Sequence, residues 1–131
     1  LSKKEFNSLF SCARKNKFLT MVTCFDNKSL ETIDEYDVDF LKVASCSFTD
    51  WPLLEDIVEK NKPIIASTAS ASEKDIEHVV TFFGNRISNF AIMHCIAEYP
   101  TLDDNLNLSQ IDYLLNKLTQ TLFLSITHSQ I

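Results

Sequence analysis

Five short apolar runs alternate with helical stripes along this chain, and this alternation constrains its fold more than any other feature. The runs are Phe18–Val22, Phe40–Ala44, Pro63–Ala66, Phe90–Met93 and Leu122–Leu124. A strand followed by a helix, repeated, predicts a parallel sheet, and nearly continuous apolar strands are typical of a sheet covered on both faces. A closed barrel and an open doubly wound sheet share this pattern, and periodicity alone does not distinguish them.

The predicted helices are marked by residues that cap helix ends. Ser2 and Glu5 have the spacing of a capping box, so a first helix is expected from Ser2 to about Lys15. Gly84 stands where the fourth helix is expected to stop. The predicted caps of the later helices are Ser29, Asp50, Ser72 and Ser109.

Length and composition predict a single domain over residues 1–131, of which 45% are apolar and 23% charged. The net charge of -6 argues against a nucleic-acid-binding surface, which is usually basic. No apolar stretch is long enough to span a membrane, and no signal peptide is visible. The four cysteines form no C-x-x-C pair, and their wide spacing and apolar neighbours favour reduced, buried thiols in a cytoplasmic protein over a zinc site.

Polar side chains follow each apolar run directly. Thr23, Ser45, Ser67, His94 and His128 all stand at or just beyond the carboxyl end of a predicted strand. Ligand sites of parallel α/β folds lie at these strand ends. The hydroxyl groups could equally cap the helices that follow. His94 and His128 could each be a packed, hydrogen-bonded residue or a metal ligand, since imidazole binds many divalent metals.

Lys42 is a further polar residue of the predicted strands, and helix capping does not explain it. It lies between Leu41 and Val43 inside a predicted strand, where burying a lysine is costly without an anionic partner. Three interpretations remain open: a structural ion pair with a carboxylate, an ammonium group that reaches solvent at the strand end, and a positive charge for a bound phosphate or carboxylate. In the last case nearby hydroxyl groups would supply neutral donors for the same anion.

These residues resemble the catalytic barrel of the sialic acid synthase family. The similarity extends over nearly the whole chain in family order. The matching stretches are Met21–Asp26, Leu41–Ser45, Trp51–Leu54, Lys62–Thr68, His94–Cys95, Tyr99–Pro100 and Thr127–His128.

The resemblance implies a fold, a reaction and a set of site residues. The expected fold is a partial (β/α)8 barrel with about five βα units, lacking the N-terminal strands, the last strand and the antifreeze-like domain. The implied reaction joins phosphoenolpyruvate to N-acetylmannosamine or a related amino sugar and releases phosphate, with Mn²⁺ or Mg²⁺ as cofactor. The implied phosphoenolpyruvate ligands are Thr23, Lys42, Ser45 and Ser67, with Tyr99 touching the sugar, His128 on the metal, and Lys42 and His128 as catalytic residues.

The implied incompleteness of the barrel has consequences of its own. The isolated chain is expected to be inactive, and its open strand edges predict a homo-oligomer. An alternative function is a truncated or divergent relative that binds an anionic ligand or a protein partner without catalysis. An unrelated open-sheet binding domain is the third possibility.

Overall fold

A computed structural model describes residues 1–118 and the backbone of residues 122–124. The helices are α1 (Lys3–Lys15), α2 (Asn27–Ile33), α3 (Trp51–Glu59), α4 (Glu73–Gly84) and α5 (Ser109–Lys117). The strands are β1 (Met21–Thr23), β2 (Phe40–Val43), β3 (Ile64–Ser67), β4 (Phe90–Met93) and β5 (Leu122–Leu124). Neighbouring strands pair in parallel in the order β1-β2-β3-β4-β5. The predicted partial (β/α)8 architecture is confirmed in these features.

The two faces of the sheet differ in how completely they are covered. Leu41, Val43, Ile64, Ala66 and Ile92 are at most 1% exposed, and they form one apolar core with residues from α2 to α5. On the opposite face Phe40, Lys42, Ile65 and Ala91 are only half-buried, whereas Ser67 and Met93 at the strand ends are buried. Side chains alternate between the two faces along each strand, and the helices α2 to α5 pack on the first face. The second face therefore corresponds to the interior of a barrel. The interior layer is therefore the less covered side of the sheet.

Most predicted helix starts are confirmed, and two caps are wrong. The capping boxes at Ser2 and Ser72 and the cap at Asp50 form as expected. The second helix is capped by Asp26, whose carboxylate accepts a 2.6 Å hydrogen bond from the Ser29 backbone N–H. Ser109 is the first residue of α5, which follows Leu108 without a side-chain cap. In both cases the helix boundary differs from the predicted one, and a serine inside the first turn cannot act as the cap.

The first strand begins later than predicted because the residues before it make other contacts. Phe18 and Leu19 are 68% and 73% exposed, and Thr20 donates its N–H and its hydroxyl to the Asp39 carboxylate at 2.7 and 2.9 Å. These hydrogen bonds hold the pKa of Asp39 below its usual range. The chain thus enters the sheet at Met21, after a polar connection to the start of β2.

Left-handed turns in this chain are made without glycine. Lys17, Asn61, Ser70 and Asn107 have φ between 47° and 63°. The only glycine, Gly84, has no positive φ and is the last residue of α4, which is capped by Asn85. The helix ends at Gly84 as predicted, but Gly84 does not adopt the left-handed conformation that is typical of a glycine at a helix end. Its backbone does not require glycine.

Replacing Gly84 by alanine is expected to stabilise the protein. An added Cβ would meet no atom within 4 Å, and alanine in a helix is favoured over glycine by about 0.5–1 kcal/mol. The change should raise the free energy of unfolding by that amount in a urea titration. Asn61→Ala is the matched control. Asn61 has φ 52°, and alanine is strained in this left-handed conformation because it lacks the amide group that lets asparagine adopt it. A destabilised Gly84→Ala variant would contradict this account of α4.

Candidate anion-binding cavity

A cavity of about 600 Å³ opens at the carboxyl ends of the central strands, where parallel α/β folds place their ligands. Four of the predicted site residues line it: Lys42 of β2, Ser45 of the turn after β2, Ser67 of β3, and Tyr99 of the loop after β4. They come from three successive βα units, and the parallel register of the strands brings them together. The cavity therefore collects a cation, hydroxyl groups and a phenol at one end of the sheet, and Glu98 of the loop after β4 also lines it.

Lys42 extends from the half-buried face of the sheet into this cavity. Its neighbours in register are Thr23 on β1 and Ile65 on β3. Within residues 1–118, the ion pairs involve other lysines and Arg14, and Lys42 makes none with a carboxylate. The structural ion pair considered above is therefore not found in the described part of the chain. A half-buried ammonium group without an anionic partner is suited to an anionic ligand.

Ser45 and Ser67 offer hydroxyl groups with different surroundings. Ser45 Oγ accepts a 3.1 Å hydrogen bond from the Ala69 backbone N–H, which ties the turn after β2 to the segment after β3. Its own O–H can still be donated to a ligand, because this bond uses only a lone pair. Ser67 is buried, and its hydroxyl lies 3.9 Å from Met93 Sδ, a weak acceptor. Both hydroxyls can serve a bound anion at little cost to existing bonds.

Thr23 is adjacent to this cavity but does not line it. It is aligned with Lys42 across the β1–β2 pair, yet it borders a neighbouring groove between β1 and α1. That groove contains Phe6, Leu9 and Phe10 and is largely apolar. The structure thus brings Lys42, Ser45, Ser67 and Tyr99 together and leaves Thr23 at the side, half-buried on the edge strand.

The loop after β4 carries Tyr99 and is fixed by hydrogen bonds at its base. The buried His94 donates from Nε2 to the Leu106 carbonyl oxygen at 3.0 Å, because a carbonyl can only accept. Asn105 donates to the Glu98 carboxylate at 2.9 Å, and Thr101 donates to the Glu98 carbonyl oxygen at 2.6 Å. Tyr99 itself is 68% exposed and precedes a cis proline. This geometry favours a packed, hydrogen-bonded role for His94 over metal ligation.

Removing the His94 hydrogen bond is expected to destabilise the loop. His94→Leu would leave the Leu106 carbonyl without its donor, which costs about 1–3 kcal/mol of unfolding free energy when the group stays buried. His94→Gln retains an N–H donor on a side chain of similar length, so its loss should be smaller. Urea unfolding of both variants measures the difference. Equal losses in the two variants would show that the hydrogen bond contributes nothing beyond packing.

Two cysteines and Phe25 also line the cavity, and the sequence pattern did not single them out. Cys46 follows Ser45 and Cys95 follows His94, so both stand directly beyond a strand end. Their position beyond a strand end is the sequence feature that could have identified them as cavity residues. The sequence pattern instead predicts burial for all four thiols. Cys46 is instead exposed, whereas Cys24 is buried and its pKa is raised to about 11, first by burial and then by the Asp26 carboxylate.

The described residues do not by themselves offer a metal centre. Among them, no group of three or more His, Cys, Asp or Glu side chains is placed to hold a metal ion. The predicted metal ligand, His128, lies outside the described residues, as do Ser125 and Thr127. In the same part of the chain, none of the helices is long and apolar enough to cross a membrane.

Comparisons with known proteins agree with this fold. A sequence profile of the NeuB family matches residues 1–127. An N,N'-diacetyllegionaminic acid synthase of Campylobacter jejuni is 30% identical over 117 residues, which is 87% of this chain and 35% of that protein. A sialic acid synthetase from Leptospira borgpetersenii, solved in complex with citrate, superposes with a TM-score of 0.90 at 33% identity, over 98% of this chain and 45% of that one.

A spore coat polysaccharide biosynthesis protein E candidate from Chromobacterium violaceum superposes with a TM-score of 0.93 at 41% identity, over 99% of this chain and 39% of that one. The coverage is one-sided in every case. The chain spans between a quarter and about a third of the length of the curated relatives it matches. The similarity therefore concerns a part of those proteins, and that part contains the strand-end cavity.

Proposed function

The chain belongs to the NeuB family, and on this premise we propose that it forms the central part of a nonulosonic acid synthase barrel. The proposed reaction condenses phosphoenolpyruvate with N-acetylmannosamine or a related amino sugar and releases phosphate. Related chains are named as synthases of legionaminic, neuraminic and pseudaminic acids, which are products of this chemical class. The observation that carries the proposal is Lys42, which lines the strand-end cavity beside two serine hydroxyls and has no carboxylate partner within residues 1–118.

Phosphoenolpyruvate matches the chemistry of this cavity. It carries a phosphate and a carboxylate, and Lys42 supplies the positive charge that either group requires. Ser45 and Ser67 would donate their hydroxyl hydrogens to its oxygens, and Tyr99 on the opposite loop would contact the sugar. Thr23 would join this set only from the neighbouring groove, as an extension of the site along the edge strand.

In the proposed reaction the enol carbon of phosphoenolpyruvate attacks the aldehyde carbon of the open-chain sugar. Water then adds to the carbon that carries the phosphate, and the C–O bond to phosphate breaks. Lys42 would neutralise charge on the phosphoenolpyruvate oxygens throughout, and a fixed charge acts most strongly where water is excluded. The serine hydroxyls would hold the enol in position against the sugar.

A divalent cation, Mn²⁺ or Mg²⁺, remains a proposal that depends on His128. When bound, such an ion supplies Lewis acidity toward a carbonyl oxygen. The described residues contain no complete ligand set, so the other ligands would come from beyond them. We assign His128 to this ion as a single ligand.

The remaining parts of the barrel would come from outside these residues. We propose that the five strands correspond to the third to seventh of eight, in a cytoplasmic enzyme that assembles as a homo-oligomer. The four free thiols are consistent with a reducing compartment. The open face of the sheet and the exposed edge strand β1 are consistent with association.

Replacing Lys42 by glutamine is expected to weaken phosphoenolpyruvate binding. A hydrogen bond to a charged group contributes about 1.5–3 kcal/mol, so the dissociation constant should rise by roughly 10- to 100-fold. Calorimetric titration of the chain measures the change. Lys74→Gln removes the same charge from an exposed position on α4 and is the matched control. Equal affinities in the wild type and in Lys42→Gln would exclude Lys42 from the anion site.

A second candidate function is anion binding without catalysis. It is favoured by the cavity lining itself, because Lys42 and two serine hydroxyls suit an anionic ligand whether or not a reaction follows. A single assay on a complete barrel containing these residues distinguishes the two functions. Phosphate release from phosphoenolpyruvate that depends on N-acetylmannosamine supports the synthase. Tight binding of phosphoenolpyruvate without phosphate release supports the non-catalytic relative.

A further inference from the structure

The cysteines of this chain occupy different environments, although all four are free thiols. Cys24 is buried with a pKa raised to about 11, so little of it is thiolate at neutral pH. Cys12 is exposed on α1, away from the strand-end cavity. Cys46 is exposed and Cys95 half-buried, and both line the cavity that contains Lys42. Access to a reagent therefore favours Cys46 among the thiols of the cavity.

The short helical turn after β2 holds Cys46 in the cavity wall. This turn spans Ser45–Ser47. Ser45 is fixed by the N–H of Ala69, Ser47 is buried, and Cys46 Sγ lies 3.9 Å from Ser47 Oγ. Cys46 thus lies in sequence between Ser45, a proposed anion ligand, and the buried Ser47. Because Cys46 and Lys42 line the same cavity, a bulky group attached to the Cys46 sulfur would compete for space with a ligand of Lys42.

We propose that Cys46 is a modification site for anionic disulfides, and that a mixed disulfide at Cys46 and an anion held by Lys42 exclude each other. The inference rests on the anion site proposed above. Its probe is glutathione disulfide, a tripeptide disulfide that carries carboxylates. Among the described residues that line the cavity, Lys42 is the basic one and Glu98 the acidic one, and Glu98 already accepts a hydrogen bond from Asn105. A carboxylate of the attached tripeptide would therefore pair with Lys42 at high effective concentration. Covalent attachment and ion pairing act together at this position.

The chemical step is an ordinary thiol–disulfide exchange. The Cys46 thiol loses its proton to water, and the thiolate attacks one sulfur of glutathione disulfide. The S–S bond of the reagent breaks as the bond between Cys46 Sγ and glutathione forms. The displaced glutathione thiolate takes up a proton, so one disulfide and one thiol are exchanged for another disulfide and thiol. Excess reduced glutathione reverses the step.

Peptide mapping by mass spectrometry tests the inference on the chain as it stands. The chain is incubated with glutathione disulfide, with and without saturating phosphoenolpyruvate, and the labelling rates of Cys46 and Cys12 are compared. Phosphoenolpyruvate should slow labelling of Cys46 by about 10-fold and leave Cys12 unchanged, and Lys42→Gln should slow Cys46 by a similar factor. In return, the glutathionylated chain should bind phosphoenolpyruvate at least 10-fold more weakly.

The control is the Cys46→Ser chain, whose phosphoenolpyruvate affinity is measured by calorimetry. If this chain binds phosphoenolpyruvate through Lys42, but the anion does not protect Cys46 in the wild type, the thiol inference is wrong and the anion site stands. If phosphoenolpyruvate binds neither chain, the anion site is wrong, and the proposed exclusion is wrong with it. Protection of Cys46 and Cys12 to the same extent would also overturn the inference, because it would reflect a general effect on thiol chemistry.

Discussion

The 131-residue chain is expected to release no phosphate when it is given phosphoenolpyruvate, N-acetylmannosamine and manganese. A complete barrel containing the same residues should turn over on the order of 1 per second or more. A barrel interior is filled by layers of side chains from alternate strands around the whole ring. Here Phe40, Ile65 and Ala91 remain half-buried on that face, so part of this packing is not supplied by the described residues. Substrate-binding side chains that are loosely held lose most of their catalytic advantage.

The same exposed surfaces predict that the chain associates. None of the residues of α1 is buried, and Phe6, Leu9 and Met21 are exposed next to the open edge of β1. Open strand edges and apolar surface favour pairing with another chain. Sedimentation analysis and a phosphate-release assay on one sample test both statements. Full turnover from a monomeric sample would contradict the proposed placement of these strands as the third to seventh of eight.

Replacing His128 by alanine in a complete barrel is expected to reduce metal-dependent turnover by about 100-fold or more. Even partners that only orient a metal ligand cost 10- to 100-fold when they are removed, and loss of a ligand should cost at least as much. Manganese affinity, followed by electron paramagnetic resonance, should fall in parallel while the thermal unfolding midpoint stays unchanged. His78→Ala is the matched control, because His78 is exposed on α4. Unchanged manganese affinity in His128→Ala would remove His128 from the metal site.

The fold could be predicted largely from local patterns. Apolar runs and capping residues predicted the strands and helices, because apolar periodicity and end-capping patterns are local features of a sequence. At β1 the error occurred where a contact distant in sequence decides the outcome. Thr20 joins Asp39 and delays β1, and this pairing cannot be read from the apolar run that begins at Phe18. At α2 the error is local, because the helix begins at Asn27 and is capped by Asp26, three residues before the predicted cap Ser29.

The candidate site was only partly predictable for the reason seen at β1. Lys42 stood out because a charge inside an apolar strand is costly. Sequence position could not determine that Thr23 faces the groove beside α1, or that Cys46 is exposed in the cavity wall. Nor could it show that His94 bonds to the Leu106 carbonyl across a loop. These features depend on the three-dimensional course of the loops after β2 and β4.

Mapping amide chemical shifts while phosphoenolpyruvate is added tests most directly whether the strand-end cavity is the anion site. The largest changes are expected in the turn at Ser45–Ser47 and in the segment from Ser67 to Ala69, with the Lys42 ammonium signal shifting at the same concentration. The Lys42→Gln chain should lose these changes, and Lys74→Gln should keep them. Changes confined to the groove between α1 and β1, or identical in the Lys42→Gln chain, would contradict the assignment of this cavity.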